Sequence, residues 1–136
     1  MENSRQDLLI VDDDNSIRTL ISIAMQRHGL TFDVARDGED ALRQMRTGTY
    51  AVVLLDLMMP RMDSPEFLKQ LVTLELSAAR RPIVLLMTAF SSDQLPVLPD
   101  AIHAIVRKPF DIDDLVALVA GCVEQRRALE AIKRNH

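Results

Sequence analysis

Short runs of apolar residues alternate along this chain with stretches in which apolar residues recur every three or four positions. The apolar runs predict five strands, at 8–11, 32–35, 51–55, 82–89 and 103–109. The periodic stretches predict helices that begin near residues 15, 39, 64 and 111. Because the strands are apolar throughout rather than alternating, the pattern predicts a parallel sheet with helices on both faces, an α/β fold.

The residues inside each periodic stretch predict which side of each helix is buried. The first helix, capped by Asp14 or Asn15, ends at Gly29. Its predicted inner residues are Ile17, Leu20, Ile21, Ala24 and His28. The second, near 39–47, turns Ala41, Leu42 and Met45 inward, and the third covers about 64–76.

The last helix is predicted to begin near Asp111 and to run almost to the end of the chain. Its predicted apolar face consists of Leu115, Leu118, Cys122, Gln125, Leu129 and Ile132, with one polar member at 125. We expect this face to pack on the sheet as far as about Val123. The segment beyond it would overhang the domain as the start of a coiled coil, a connection to a further domain, or a frayed end.

Composition narrows the class of protein. A chain of 136 residues predicts one domain. The net charge of −4 gives no basic excess for binding nucleic acid directly. The single cysteine, Cys122, excludes a disulfide framework and favours a reducing compartment. With a polar N-terminus and no apolar run of membrane length, we expect a cytoplasmic protein without membrane insertion.

Polar residues stand where the predicted strands end. They are Asp12 and Asp13 after the first strand, Asp56 after the third, Thr88 in the fourth and Lys108 in the fifth. In open parallel sheets, sites form beyond the carboxyl ends of the strands. We therefore expect these side chains to meet at one edge.

Such a set has a chemical logic. Clustered carboxylates repel one another, and Mg²⁺, which prefers oxygen ligands, relieves that repulsion. An aspartate can also attack a phosphoryl group, while a lysine and a hydroxyl bind the transferring oxygens. Each residue alone has an ordinary explanation, as a helix N-terminus, a solvated strand end or a loop. Their joint occurrence at consecutive strand ends favours a site.

Five motifs in their order and spacing resemble one family. They are "LLIVDDDNSIR", "ARDGEDAL", "VVLLDLMMPRMD", "PIVLLMTA" and "VRKPFDIDDL". The chain resembles the receiver domain of two-component response regulators, CheY-like, over residues 7–124, which leaves 125–136 as a C-terminal helical extension or linker. The resemblance implies a flavodoxin-like, doubly wound five-stranded sheet in the order 2-1-3-4-5 and a cis peptide between Lys108 and Pro109.

The resemblance also implies a role for each site residue. Asp56 is the phosphoacceptor, Thr88 the switch hydroxyl, and Lys108 the contact to the phosphoryl group. The acidic pair, the acceptor and one backbone carbonyl form the Mg²⁺ site, whose members are Asp12, Asp13, Asp56 and Met58.

By this resemblance the chain is a signalling module rather than a turnover enzyme. It would accept a phosphoryl group from a sensor histidine kinase or a phosphotransfer protein. It would then signal through altered contacts with a downstream protein that the sequence does not identify. A second copy of the chain is a candidate partner.

Two departures from the family pattern keep an alternative open. Ile105 stands where the family has Tyr or Phe, and the segment between Thr88 and Lys108 is short and carries Pro96 and Pro99. We predict that the fourth helix is short, displaced or absent. The alternative is a phosphorylation-independent interaction or dimerisation domain. An aspartate phosphatase fits less well, because 12–16 reads "DDDNS" rather than "DxDxT".

Overall fold

The computed structural model of the protein describes residues 4–56, 69–70, 81–89 and 102–134. Its strands are β1 (Ser4–Val11), β2 (Phe32–Ala35), β3 (Gly48–Asp56), β4 (Ile83–Thr88) and β5 (Ile102–Arg107). Its principal helices in these ranges are α1 (Asn15–Arg27), α2 (Gly38–Thr47) and a C-terminal helix (Ile112–Arg134). From β1 to β3, strands and helices alternate as the hydrophobic pattern predicts.

The five strands form one sheet in the order β2-β1-β3-β4-β5. Every neighbouring pair is parallel. The prediction of a flavodoxin-like parallel sheet in the order 2-1-3-4-5 is therefore confirmed. Since all five strands point the same way, their carboxyl ends lie along a single edge of the sheet.

Both faces of the sheet are covered, as the apolar strands predict. On one face, alternate strand residues such as Leu8, Leu54 and Leu85 pack in a single cluster with α1 and the C-terminal helix. The intervening residues, among them Leu9 and Leu55, are equally buried but lie outside that cluster. Helix α2 packs against β1, β2 and β3 and buries Ala41, Leu42 and Met45 as predicted, and it also lies outside the first cluster.

Two strands are longer than their apolar runs. β1 begins at Ser4 rather than residue 8, and β3 begins at Gly48 rather than 51. The added residues pair with each other, with Ser4 opposite Gly48 and Gln6 opposite Tyr50. Backbone hydrogen bonds extend the two strands beyond their apolar runs, where a hydrophobic pattern carries no signal.

The predicted inner face of α1 is partly wrong. Ile21 and Met25 are fully buried, whereas Leu20 is 48% exposed. Leu20 lies about 100° around the helix from Ile21, which turns it away from the buried stripe. His28 is exposed because it is the C-cap, beyond the last helical residue. Gly29 follows with a φ of 80°, the left-handed conformation expected after a helix.

The C-terminal helix is continuous across the predicted domain boundary at 124. It begins at Ile112, one residue after Asp111, whose side chain accepts hydrogen bonds from two backbone N–H groups of the first turn. Its packing continues past Val123, because Arg126 is buried and Arg127 donates a hydrogen bond to the backbone oxygen of Gln6. The overhang therefore begins about one turn later than predicted.

Some predictions fall outside the described residues. Of the helix expected near 64–76, Lys69 and Gln70 are described, and both are helical. Pro96 and Pro99, on which the prediction of an altered fourth helix depends, lie outside. Within the described ranges, no helix is both long enough and apolar enough to cross a membrane.

Candidate functional site

The loop between β1 and α1 carries three consecutive aspartates with different roles. The Asp14 side chain caps α1, accepting hydrogen bonds from the backbone N–H groups of Ser16 and Ile17 at 2.8 and 3.2 Å. The helix N-terminus therefore accounts for one of the three carboxylates. Asp12 is fully buried and Asp13 is exposed, and neither side chain caps the helix.

The remaining predicted residues stand at the ends of β3, β4 and β5. Asp56 is the last residue of β3 and Thr88 is the last of β4, and their exposures are 7% and 2%. Lys108 follows β5 directly, and its backbone N–H donates to the carbonyl oxygen of Thr88 at 2.7 Å. The parallel register thus brings all three to the edge where the β1–α1 loop lies.

The structure brings the three predicted carboxylates together. Oxygen atoms of Asp12, Asp13 and Asp56 all lie within 4.8 Å of one another. Lys108 Nζ lies 3.5 Å from Asp12 Oδ2 and 3.5 Å from Asp56 Oδ1. At such separations each pair of like charges costs about 3 kcal/mol at the effective dielectric near a protein surface. One ammonium group offsets only part of that repulsion.

One atom of the cluster shows that its donor set is incomplete. Asp12 Oδ1 accepts a hydrogen bond from the backbone N–H of Asp14 at 2.9 Å. Within the described residues, Asp12 Oδ2 is buried without a hydrogen-bond partner, since the ion-pair distance of 3.5 Å to Lys108 is too long for a good hydrogen bond. Buried carboxylate oxygens without partners are rare and costly. Three carboxylates, one with an unfilled acceptor, fit a hard divalent cation such as Mg²⁺.

Two further predictions concern residues beside the cluster. The peptide between Lys108 and Pro109 is cis, as the resemblance implies. Met58, whose backbone carbonyl is predicted to join the metal site, lies outside the described residues.

Sequence reasoning missed Arg18. Its Nη1 donates to the backbone oxygen of Asp12 at 2.6 Å, which ties helix α1 to the loop that holds the acidic pair. The only signal in the sequence is a cation near the start of a helix, where the helix dipole disfavours it.

Known proteins share both the sequence pattern and the fold of this chain. The sequence matches the family described as the response regulator receiver domain over residues 8–120, which is most of the chain. The chain belongs to the response regulator receiver domain family. Receiver domains are signalling modules of two-component systems, and they bind Mg²⁺ at an acidic cluster of the kind that Asp12, Asp13 and Asp56 form here.

Curated relatives of this receiver domain are longer proteins. Regulatory protein AtoC of Escherichia coli (strain K12) is 32% identical over 131 residues, which are 95% of this chain and 28% of AtoC. Transcriptional regulatory protein DltR of Streptococcus agalactiae serotype III (strain NEM316) is 33% identical over 125 residues, 91% of this chain and 54% of DltR. The chain thus spans 28% of one relative and 54% of the other.

Solved receiver domains share the fold at almost full length. The CheY-like receiver domain protein from Methanospirillum hungatei JF-1 has a TM-score of 0.80 and 26% identity, covering 90% of this chain and 97% of that one. The response regulator TrrA from Thermotoga maritima has a TM-score of 0.72 and 29% identity, covering 88% and 98%. Receiver domains therefore match this chain in both sequence and topology.

Proposed function

We propose that this receiver domain accepts a phosphoryl group on the carboxylate of Asp56 in a Mg²⁺-dependent reaction. The observation that supports this most strongly is the meeting of three carboxylates within 4.8 Å, with the Lys108 ammonium 3.5 Å from both buried ones. A structural carboxylate would have its acceptors filled by the chain itself. This cluster instead has excess negative charge and one oxygen, Asp12 Oδ2, to which no described residue donates a hydrogen bond.

The proposed chemistry is nucleophilic attack by Asp56. One of its carboxylate oxygens bonds to the phosphorus of the donor's phosphoryl group. The bond from phosphorus to the imidazole nitrogen of the donor breaks, and the nitrogen keeps the electron pair. The product is an acyl phosphate on Asp56. Lys108, already beside Asp56 Oδ1, compensates charge on the transferring oxygens, and the Thr88 hydroxyl donates a hydrogen bond to one of them.

Asp12, Asp13, Asp56 and the backbone carbonyl of Met58 would hold the metal ion. Bound there, Mg²⁺ supplies positive charge to the phosphoryl oxygens and lowers the repulsion among the carboxylates. The related TrrA from Thermotoga maritima is described in complex with Mg(2+)-BeF, which supports a magnesium site in a domain of this fold.

Receiver domains interact with histidine kinases or phosphotransfer proteins, and we propose such a protein as the phosphoryl donor here. An apolar groove of about 430 Å³ adjoins the cluster, and Ile17, Leu20 and Pro109 line it together with Lys108. Because Lys108 belongs to both groove and cluster, a protein seated in the groove would bring its phosphoryl group close to Asp56. The output would then pass through contacts with a downstream protein or with a second copy of this chain.

One observation favours a second candidate, a receiver-like interaction domain that works without phosphorylation. Ile105 occupies the position of the switch aromatic in β5, and its aliphatic side chain is 40% exposed. An isoleucine has no ring to rotate inward when Thr88 moves. Phosphorylation could then take place without the usual change on the surface of β5.

Intact mass spectrometry separates the two candidates. The protein is incubated with Mg²⁺ and acetyl phosphate, beside an Asp56→Asn variant. We expect the wild-type protein to gain one phosphoryl group and the variant to gain none, because asparagine lacks the nucleophilic carboxylate. The gain should disappear when EDTA removes Mg²⁺. A wild-type protein that stays unmodified under these conditions would favour the interaction domain.

A further inference from the structure

Arg18 binds the peptide that joins two of the three clustered carboxylates. Its Nη1 donates to the carbonyl oxygen of Asp12 at 2.6 Å, and its Nη2 donates to Asn15 Oδ1 at 3.2 Å. The carbonyl of Asp12 belongs to the peptide plane that continues into the N–H of Asp13. Holding this oxygen therefore fixes the orientation of the link between the two acidic residues.

The two acidic residues differ in how they are held. Asp12 is held at its backbone N–H, which donates to Ala35 at 3.2 Å, and at Oδ1, which accepts from the backbone N–H of Asp14. The Asp13 carboxylate is exposed and has no hydrogen-bond partner among the described residues. Its place beside Asp56 thus depends on the backbone, and Arg18 holds the peptide immediately before it.

The position of Arg18 in α1 is not explained by the helix itself. It is the fourth residue of a helix that begins at Asn15, and a cation near a helix N-terminus opposes the helix dipole. Arg27 in the last turn of the same helix has the favourable placement. An unfavourable charge placement of this kind is expected where another interaction compensates for it. At Arg18, the compensating interaction is the hydrogen bond to the Asp12 carbonyl oxygen.

We propose that Arg18 is a positioning residue for the Mg²⁺ site, which holds the Asp12–Asp13 peptide so that the Asp13 carboxylate faces Asp56. This inference rests on the proposed function, because it presumes that the cluster binds Mg²⁺. Arg18 itself acts on the backbone and does not touch the metal ion or the phosphoryl group. Outer groups that orient metal ligands affect affinity by about 10- to 100-fold when they are removed.

The direction in which Mg²⁺ affinity changes when Arg18 is replaced distinguishes a positioning role from a purely electrostatic one. Removing a positive charge close to an acidic cluster should strengthen the binding of a divalent cation if charge alone mattered. Positioning makes the opposite prediction. We expect Arg18→Met to weaken Mg²⁺ binding about 10-fold in isothermal titration calorimetry with MgCl₂. Arg18→Lys, which keeps a donor and the charge, should recover part of that loss.

Arg27→Met is the matched control, because it removes the same charge from the same helix at its other end. We expect its Mg²⁺ affinity to stay within about twofold of the wild-type value, since salt and water screen an exposed charge at the far end of the helix. If Arg18→Met does not fold, as judged by circular dichroism without metal, the comparison of Arg18→Lys with Arg27→Met decides instead. Arg18→Lys must then bind Mg²⁺ more weakly than the wild type.

Two results would overturn the proposal in different ways. Binding that is unchanged or tighter in the Arg18 variants, with a wild type that binds Mg²⁺, would refute the positioning role alone. A wild type that does not bind Mg²⁺ would refute the proposed function, and this inference with it.

Discussion

Two aspartates five positions apart, Asp7 within β1 and Asp12 just after it, have opposite surroundings. Asp7 Oδ2 accepts a hydrogen bond from the backbone N–H of Thr31 at 3.0 Å, and its Oδ1 accepts one from Arg127 at 3.3 Å. Asp12 is fully buried, yet its Oδ2 has no hydrogen-bond partner in the described part of the chain and lies beside two further carboxylates. Both carboxylate oxygens of Asp7 thus accept hydrogen bonds, whereas one oxygen of Asp12 accepts none from the described residues.

This is the difference expected between a carboxylate that stabilises the fold and one that binds a ligand. The chain gives Asp7 partners because the bond joins β1 to the start of β2 and to the C-terminal helix. Among the described residues, Asp12 keeps unmet hydrogen-bonding capacity, and Lys108 offsets only part of the repulsion, which lowers the stability of the free protein. Proteins break local rules of this kind mainly where a ligand is to bind.

The same substitution at both positions gives the largest expected effect. We expect Asp12→Asn to abolish most of the rise in melting temperature that Mg²⁺ produces, because a ligand oxygen and its charge are lost. Its Mg²⁺ affinity should fall by more than the roughly 10- to 100-fold that an outer-shell partner is worth. Without metal, the variant should be as stable as the wild type or up to about 1 kcal/mol more stable, since like-charge repulsion is relieved.

Asp7→Asn is the control, and it should show the reverse pattern. We expect a loss of about 1 kcal/mol in the free energy of unfolding, because the charged acceptor of Arg127 disappears, while Mg²⁺ binding stays at the wild-type level. Urea unfolding with and without MgCl₂ measures both quantities. Equal losses of stability at the two positions in metal-free buffer would contradict the distinction between them.

Asp33, like Asp7, is a carboxylate that accepts a hydrogen bond from a side chain of this chain. Tyr50 of β3, which is buried and pairs with Gln6 of β1, donates a hydrogen bond from its hydroxyl to Asp33 Oδ2 at 2.6 Å. Burial, followed by the bond to Asp33, raises the pKa of Tyr50 well above its usual value. We expect Tyr50→Phe to cost about 1.5 kcal/mol at neutral pH, the value of a hydrogen bond to a charged group.

The pH dependence tests the same contact. Tyrosine in the unfolded chain ionises near pH 10, whereas folded Tyr50 keeps its proton to higher pH. The unfolded state then binds fewer protons, so the stability contributed by Tyr50 is complete below about pH 10 and falls above it, by at most about 1.4 kcal/mol per pH unit. Tyr50→Phe lacks this loss. The stability gap between the two proteins, measured by urea unfolding, should shrink above about pH 10, and a constant gap would contradict the assignment.

The sequence was sufficient to predict what depends on regular patterns. The apolar runs gave all five strands, and the strand-end positions of Asp12, Asp56, Thr88 and Lys108 indicated a shared edge, because parallel strands end together. The pattern did not predict that Ser4 and Gln6 belong to β1, since backbone pairing with β3 requires no apolar side chain.

Contacts made by long polar side chains could not be predicted from pattern. Arg18 reaches back to the Asp12 carbonyl and Arg127 reaches the start of β1, two contacts that depend on how elements are placed in space. The helical period also wrongly predicted that Leu20 is buried. It marks apolar positions, but the width of the buried stripe is set by what packs against it.

The smallest expected effects concern two arginine–aspartate pairs, and the larger of the two is at Arg127. Arg127→Met removes the bonds to the Gln6 carbonyl and to Asp7 Oδ1, at 3.1 and 3.3 Å, while it keeps the aliphatic length of the side chain. We expect a loss of about 1 kcal/mol in the free energy of unfolding, because the pair is only partly screened by solvent.

Arg43→Met provides the comparison, because Arg43 also pairs with an aspartate, Asp40, but its side chain is 72% exposed. Exposed pairs of this kind contribute between about 0 and 1 kcal/mol, so its loss should be the smaller of the two in the same urea titration. If the two losses are equal, the contact between the C-terminal helix and β1 is no more than a surface pair. A larger loss for Arg127 would show that its contacts with Gln6 and Asp7 fix the C-terminal helix against β1, at the end of the sheet away from the acidic cluster.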